Sequence, residues 1–163
     1  MAVRAAGASD LEAILDIYNH AVVNSTATFD MLPRTLEAHE AWFAAHVSPY
    51  PVIVWDEESR VLGWGSISSY STRPGYRFTG ELSVYVRDDA RRRGIGEALL
   101  RELIGLGATH GLHALVGRVC VENEASCRLA EKTGFRCSGV MEEVGYKFDR
   151  WLDVAIYQYR LDT

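Results

Sequence analysis

The ten residues from Arg91 to Leu100, RRRGIGEALL, constrain this chain more than any other stretch. They follow ELSVYV, whose apolar and polar residues alternate as in a β-strand. They lead into GIGEALLRELIGLGATHG, the longest helical pattern in the sequence. Strand, glycine-rich turn and helix N-terminus, in that order, form an anion-binding device. Free backbone N–H groups and the positive helix end point at one place, and glycine lets a ligand approach. Arg91, Arg92 and Arg93 add positive charge there. A solvated charge run is the plain alternative for the three arginines, and the order strand, Gly-x-Gly, helix favours a bound anion.

The surroundings narrow the kind of anion. The formal net charge is -5, so the basic cluster stands on an acidic background, unlike the basic surface of a nucleic-acid binder. A nucleotide P-loop requires GxxxxGK[ST], and GYRFTGEL ends in Glu-Leu instead. A dinucleotide fingerprint requires a third glycine where GIGEAL has Leu99. Both readings fail. The 163 residues suit one domain over 1–163, and 48% hydrophobic with 24% charged residues is globular composition. No apolar run approaches the ~18 residues of a membrane span. The N-terminus, MAVRAAGASDLEA, has no apolar segment typical of a secretory signal. Cys120, Cys127 and Cys137 form no CxxC pair, so a reduced, cytoplasmic setting without disulfides is expected.

Periodicity supplies the remaining elements. ASDLEAILDIYNHAV reads as an amphipathic helix with Ser9 and Glu12 at capping-box spacing, and RTLEAHEAWFAAHV as a second helix. YPVIVWD and VLGWGSISSY read as strands joined by the turn EESR, and STRPGYR as a loop. ALVGRVCV is a strand and EASCRLAEKT a short helix stopped by Gly134. FRCSGVMEEVGY and WLDVAIYQYRL close the chain as two antiparallel strands. Strands in runs separated by helices predict a layered α+β domain.

Arg91-x-x-Gly94-x-Gly96 matches the R/Q-x-x-G-x-G/A motif, and VENEASCRLAEKTGFRCSG follows one helix and one strand later. On these segments the chain resembles the GNAT superfamily of N-acetyltransferases. IYNHAVVNSTATFD, ELSVYV and VGYKFDRWLDVAIYQYRL are similar to its phosphinothricin acetyltransferase-like branch. The resemblance implies a mixed, mostly antiparallel twisted sheet with helices on both faces. It also implies acetyl-CoA as co-substrate and a homodimer. Its turn residues Arg91, Arg92, Arg93, Gly94, Ile95, Gly96 and Glu97 would hold the pyrophosphate, and the backbone of Val84, Tyr85 and Val86 the pantetheine arm. Asn123, Ser126 and Lys132 would stand near the cofactor; for Asn123 a helix-capping role competes.

Acyl transfer to an amine requires a neutral amine and a polarised thioester carbonyl. Glu81 is the candidate base, since the branch assigns a glutamate at this place in E-x-S-V-Y-V. A solvent-facing strand carboxylate is the plain alternative. Strand alternation puts Glu81, Ser83 and Tyr85 on one face and Leu82, Val84 and Val86 on the other. Arg73 falls where phosphinothricin enzymes carry a loop arginine that would grip an acceptor carboxylate, with Arg77 as its substitute. Phe29, Tyr76 and Lys147 are further pocket candidates. Ala130 and Leu152 replace a tyrosine and a histidine of related enzymes, which leaves the general acid unassigned. No HExxH, Cys/His cluster or GxSxG is present, so neither a metal nor an acyl-enzyme is expected. The expected function is N-acetylation of a small amino-acid-like amine such as phosphinothricin, methionine sulfoximine or methionine sulfone. The rival readings are acetylation of a peptide or protein N-terminus and a non-catalytic acetyl-CoA sensor.

Overall fold

Two tight hairpins organise the sheet. In a computed structural model describing residues 2–162, β2 (Val52–Glu57) turns into β3 (Arg60–Ser69) through Glu58 and Ser59, both with positive φ (51° and 63°). Two consecutive residues of that kind match the twist of the flanking strands. The same device, at Phe148 and Asp149 (φ 53° and 58°), joins β6 (Arg136–Lys147) to β7 (Arg150–Arg160). With β1 (Ala2–Ala5), β4 (Thr79–Val86) and β5 (Ala114–Cys120) these strands form a seven-stranded sheet in the order β1-β2-β3-β4-β5-β7-β6. Every neighbouring pair is antiparallel except β4 and β5. The single-domain, mostly antiparallel α+β architecture is the one expected.

Four helices cover both faces: α1 (Leu11–Asn24), α2 (Leu36–Ala44), α3 (Ile95–Thr109) and α4 (Glu124–Lys132). On one face Ile95, Leu99 and Leu103 of α3 pack on Ile53, Leu62, Ile67 and Leu115, with Ala130 of α4 joining them. On the other, Ile14, Ile17, Tyr18 and Val22 of α1 pack on Val52, Val54 and Trp64. Each such aliphatic side chain, fully buried, contributes about 1.5–3 kcal/mol.

Two local expectations are corrected. The Ser9/Glu12 capping box does not form. A 3₁₀ turn at Ala8–Asp10 precedes α1, and the buried Asp10 carboxylate accepts the Gly7 N–H at 2.8 Å and two N–H bonds from Arg4. A guanidinium plus a backbone donor satisfies a buried carboxylate better than a hydroxyl would, and Arg4 holds it below the usual carboxylate range. Strand β1 was not expected from the sequence. It is only four residues long and lies at the sheet edge, where Arg4 also bonds Asp56 at 2.9 Å.

The α2 side of the sheet carries two enclosed imidazoles. His39 is fully buried and stacks on Trp42. His46 lies with Nδ1 2.7 Å from the Trp42 carbonyl and Nε2 2.9 Å from Ser68 Oγ. Burial, with a smaller contribution from the Arg34 charge, lowers both from the ordinary 6.5. Between that value and the lowered folded-state values, the unfolded chain binds more protons than the native protein, so stability falls as pH drops through the window. The melting temperature should therefore fall by several degrees as pH is lowered from neutral past about 6. Thermal unfolding followed across pH should show His39→Gln flattening that slope.

Candidate active site

The sheet splits where β4 and β5 meet. Their parallel ladder joins only Thr79–Glu81 to Ala114–Val116. Beyond it β4 stays paired with β3 as far as Val86, and β5 with β7 as far as Cys120. Each lip of the split is thus held on its outer side and carries unpaired backbone groups on its inner side. The split opens into a groove of about 1640 Å³, lined by Leu82–Val86 on one lip and Gly117–Cys120 on the other.

The arginine–glycine turn closes one end of the groove. Gly94 stands in the left-handed region (φ 79°), which a side chain would strain, and α3 starts at the next residue without a side-chain cap. The first N–H groups of α3 are therefore free for a ligand. The three arginines separate. Arg91 and Arg92 line the groove, with Arg91 held 2.7 Å from Asp88. Arg93 turns to Glu57, with two contacts at 2.8 Å, and is not on the groove wall. Ile95, Gly96 and Glu97 also line it. Glu97 is held below the usual carboxylate range by Lys132 at 2.6 Å and Arg101 at 3.0 Å. Asn123 accepts the Ser126 N–H at 3.4 Å, so the capping role exists, and both residues face the groove. Ala130 and Leu152 are buried.

Glu81 stands at the other end, where the ladder stops. Its carboxylate is held by Arg118 in a two-point contact, Oε2 to Nε at 2.6 Å and Oε1 to Nη2 at 2.9 Å. The pair pushes the guanidinium above its ordinary pKa. Arg118 lines the groove and Glu81 lies just behind it. Sequence reasoning missed Arg118, although a lone charge inside ALVGRVCV was a visible signal; the parallel register that brings it beside Glu81 was not. Tyr85 lies on the face of Glu81, as alternation predicts. Its ring packs against Tyr18 and Trp64 at 5.4 and 5.0 Å, and its hydroxyl donates to the Ala27 carbonyl at 3.4 Å. Arg73, Tyr76 and Arg77 lie in an exposed loop off the groove wall. Tyr76 packs on Tyr70 at 5.2 Å, Arg77 lies over Phe78 at 4.4 Å, and no side-chain bond joins Arg73 to Glu81. Among the described residues, no group of three or more His, Cys, Asp or Glu is placed to hold a metal ion.

A strand, a glycine turn and a helix around a split parallel pair form a groove with an anion-binding end, and comparison with known proteins gives its class. The model of the acetyltransferase (GNAT) family matches residues 12–135, and the chain belongs to that family. It is 44% identical to an L-methionine sulfoximine/L-methionine sulfone acetyltransferase of Pseudomonas paraeruginosa, across 98% of this chain and 94% of that protein. It is 39% identical to a phosphinothricin N-acetyltransferase of Streptomyces coelicolor, across 96% and 94% respectively. The crystal structure of a Sinorhizobium meliloti phosphinothricin acetyltransferase in complex with acetyl-CoA superimposes with a TM-score of 0.95 at 34% identity, covering 98% of this chain and 88% of that one.

Ser25, Thr26 and Ala27, in the segment between α1 and α2, line the groove, and the remaining two candidates hold this segment in place. Lys147 is 2% exposed and donates to the carbonyls of Ser25 and Thr28, both at 2.8 Å; burial pushes its ammonium below the usual lysine range. The Phe29 ring lies so close to Gly145 that a Cβ there would be 2.2 Å from it. Thr26 adds a 2.9 Å bond to Glu122. Lys147 is thus a fastening for the wall. Replacing it with Met strips two carbonyls of their donor. Lys147→Met should cost about 1–3 kcal/mol by urea denaturation and raise amide exchange across residues 25–30.

Proposed function

We propose that this protein is an acetyl-CoA-dependent N-acetyltransferase acting on the α-amino group of a small amino-acid-like molecule of the phosphinothricin, methionine sulfoximine or methionine sulfone type. The observation that carries the reading is a single groove with an anion-binding turn at one end and, at the other, the wall residue Arg118 with the Glu81 carboxylate paired behind it. The residues present fit the co-substrate. Free α3 N–H groups with Arg91 and Arg92 suit a pyrophosphate, and the unpaired inner edge of Val84–Val86 suits the amides of a pantetheine arm. Acetyl-CoA, when bound, supplies the acyl group and a thiolate leaving group.

The chain's own residues supply the rest. Glu81 accepts the proton that an acceptor ammonium must lose, and a backbone N–H of β4 polarises the carbonyl under attack. The amine nitrogen bonds to the carbonyl carbon in a ternary complex, and the carbon–sulfur bond breaks. With aliphatic Ala130 and Leu152 at the places of the family's acids, the second proton that the nitrogen sheds on becoming an amide passes through water to the thiolate, whose conjugate acid has a pKa of about 8.5. A homodimer belongs to the same proposal. Its support is the free edge strand β6 and the adjoining start of β7, where Val140, Val144, Tyr146 and Trp151 are exposed. The cytoplasmic setting is proposed on the three free thiols.

The test is acetyl-CoA consumption against phosphinothricin, methionine sulfoximine, methionine sulfone, common amino acids and short peptides. Turnover of at least one free amino acid is expected. Glu81→Gln should lower kcat by about 10²–10⁴-fold while leaving the Kd for acetyl-CoA unchanged. Cofactor binding without turnover of any amino acid would sink the proposal.

A further inference from the structure

We infer that Arg118 selects acceptors that carry a carboxylate, and that it does so by changing partner. The acceptor carboxylate takes the place of Glu81 on the guanidinium, and the released Glu81 takes the proton of the acceptor ammonium. The inference rests on the proposed reading of the groove as a site of N-acetylation.

Four observations lead to it. Both oxygens of Glu81 are engaged by Arg118, at 2.6 and 2.9 Å, so protonating Glu81 in place would discard that two-point contact. A base in this position acts once the contact opens. Second, the guanidinium is the member of the pair that a ligand meets: its side chain is 52% exposed and lines the groove, whereas that of Glu81 is 23% exposed and lies behind. Third, an incoming carboxylate offers the same charge and the same two oxygens to the planar guanidinium fork, so it replaces the contact that Glu81 gives up. Fourth, other cations near the groove are committed or distant. Arg150 is held by Glu122, Arg87 by Asp89, Arg128 by Glu124, Lys132 by Glu97 and Lys147 by two carbonyls, and Arg91 and Arg92 stand at the turn.

The chemistry of an α-amino acid fits this exchange. Its ammonium and carboxylate hang from one carbon, so fixing the carboxylate on Arg118 delivers the ammonium to the neighbouring Glu81. One proton passes from the ammonium to the Glu81 carboxylate, giving a neutral amine and a neutral carboxyl group, while the guanidinium keeps its charge against the acceptor carboxylate. An amine without a carboxylate leaves Glu81 on Arg118 and the base unavailable. Selectivity and activation thus come from one movement.

The experiment compares methionine sulfone with its methyl ester as acceptors for the wild type, Arg118→Met, Arg118→Gln and Arg73→Met. Folding is checked by thermal melting and the Kd for acetyl-CoA by calorimetry. The wild type should prefer the free acid. Either Arg118 variant should lower kcat/KM for the acid by about tenfold or more, the usual cost of a lost charged hydrogen bond, without lowering it for the ester. Arg73→Met should keep the wild-type ratio of acid to ester. An unchanged ratio in the folded Arg118 variants, or its collapse in Arg73→Met alone, would overturn the role of Arg118 while leaving the proposed activity standing. Where methionine sulfone is not turned over, phosphinothricin and its ester take its place; a wild type that binds acetyl-CoA and acetylates no free amino acid would overturn both.

Discussion

The parting of β4 from β5 after Glu81 and Val116 is the constraint on which the rest of the structure depends. A sheet that continued its ladder would seal its backbone groups and leave no groove. Here each strand satisfies its outer partner and abandons its inner one, which exposes two rows of peptide groups that must bond to something other than protein. The split survives because both lips are propped from behind. Trp64 and Tyr18 back Tyr85 on one face, and α3 backs Val84 and Val86 on the other. Directly past the end of β4 comes the arginine–glycine turn, so strand divergence and helix N-terminus open into one continuous space.

Acidic residues then sort the arginines. On a chain of net charge -5, acidic neighbours neutralise part of the run of three arginines. Glu57 takes Arg93, Asp89 takes Arg60 and Arg87, and Asp88 takes Arg91. Exposed pairs of this kind contribute little to stability. Their effect is orientation, because Glu57 draws Arg93 away while Arg91 and Arg92 stay on the groove wall beside the uncapped helix.

Much of this was legible in the sequence because the features concerned are local. Strand, Gly-x-Gly and helix lie within some thirty residues of one another, and alternation along ELSVYV correctly placed Glu81 with Tyr85. What was not legible depends on partners remote in the chain. Arg118 reaches Glu81 only through a three-residue parallel register that no periodicity encodes. Lys147 reads as a pocket candidate, but its role as a fastening appears only when the β6–β7 hairpin brings it beneath the carbonyls of Ser25 and Thr28, more than a hundred residues earlier. Asp10 displaced the expected Ser9 cap because Arg4, on a strand too short to announce itself, offered a stronger partner.

The two ends of the groove are built from different materials, and this bears on what relatives can share. The turn end relies on backbone N–H groups and on a glycine in the left-handed region, so many side chains around it could change without loss. The far end relies on side chains alone: the Glu81–Arg118 contact, the Tyr70–Tyr76 aromatic pair in the adjoining loop, and a wall pinned by Lys147. A family match therefore speaks chiefly to the end made of backbone. At the other end a single side chain decides what is held, and the strand neighbours of Arg118, Gly117 and Val119, carry no charge that could replace it.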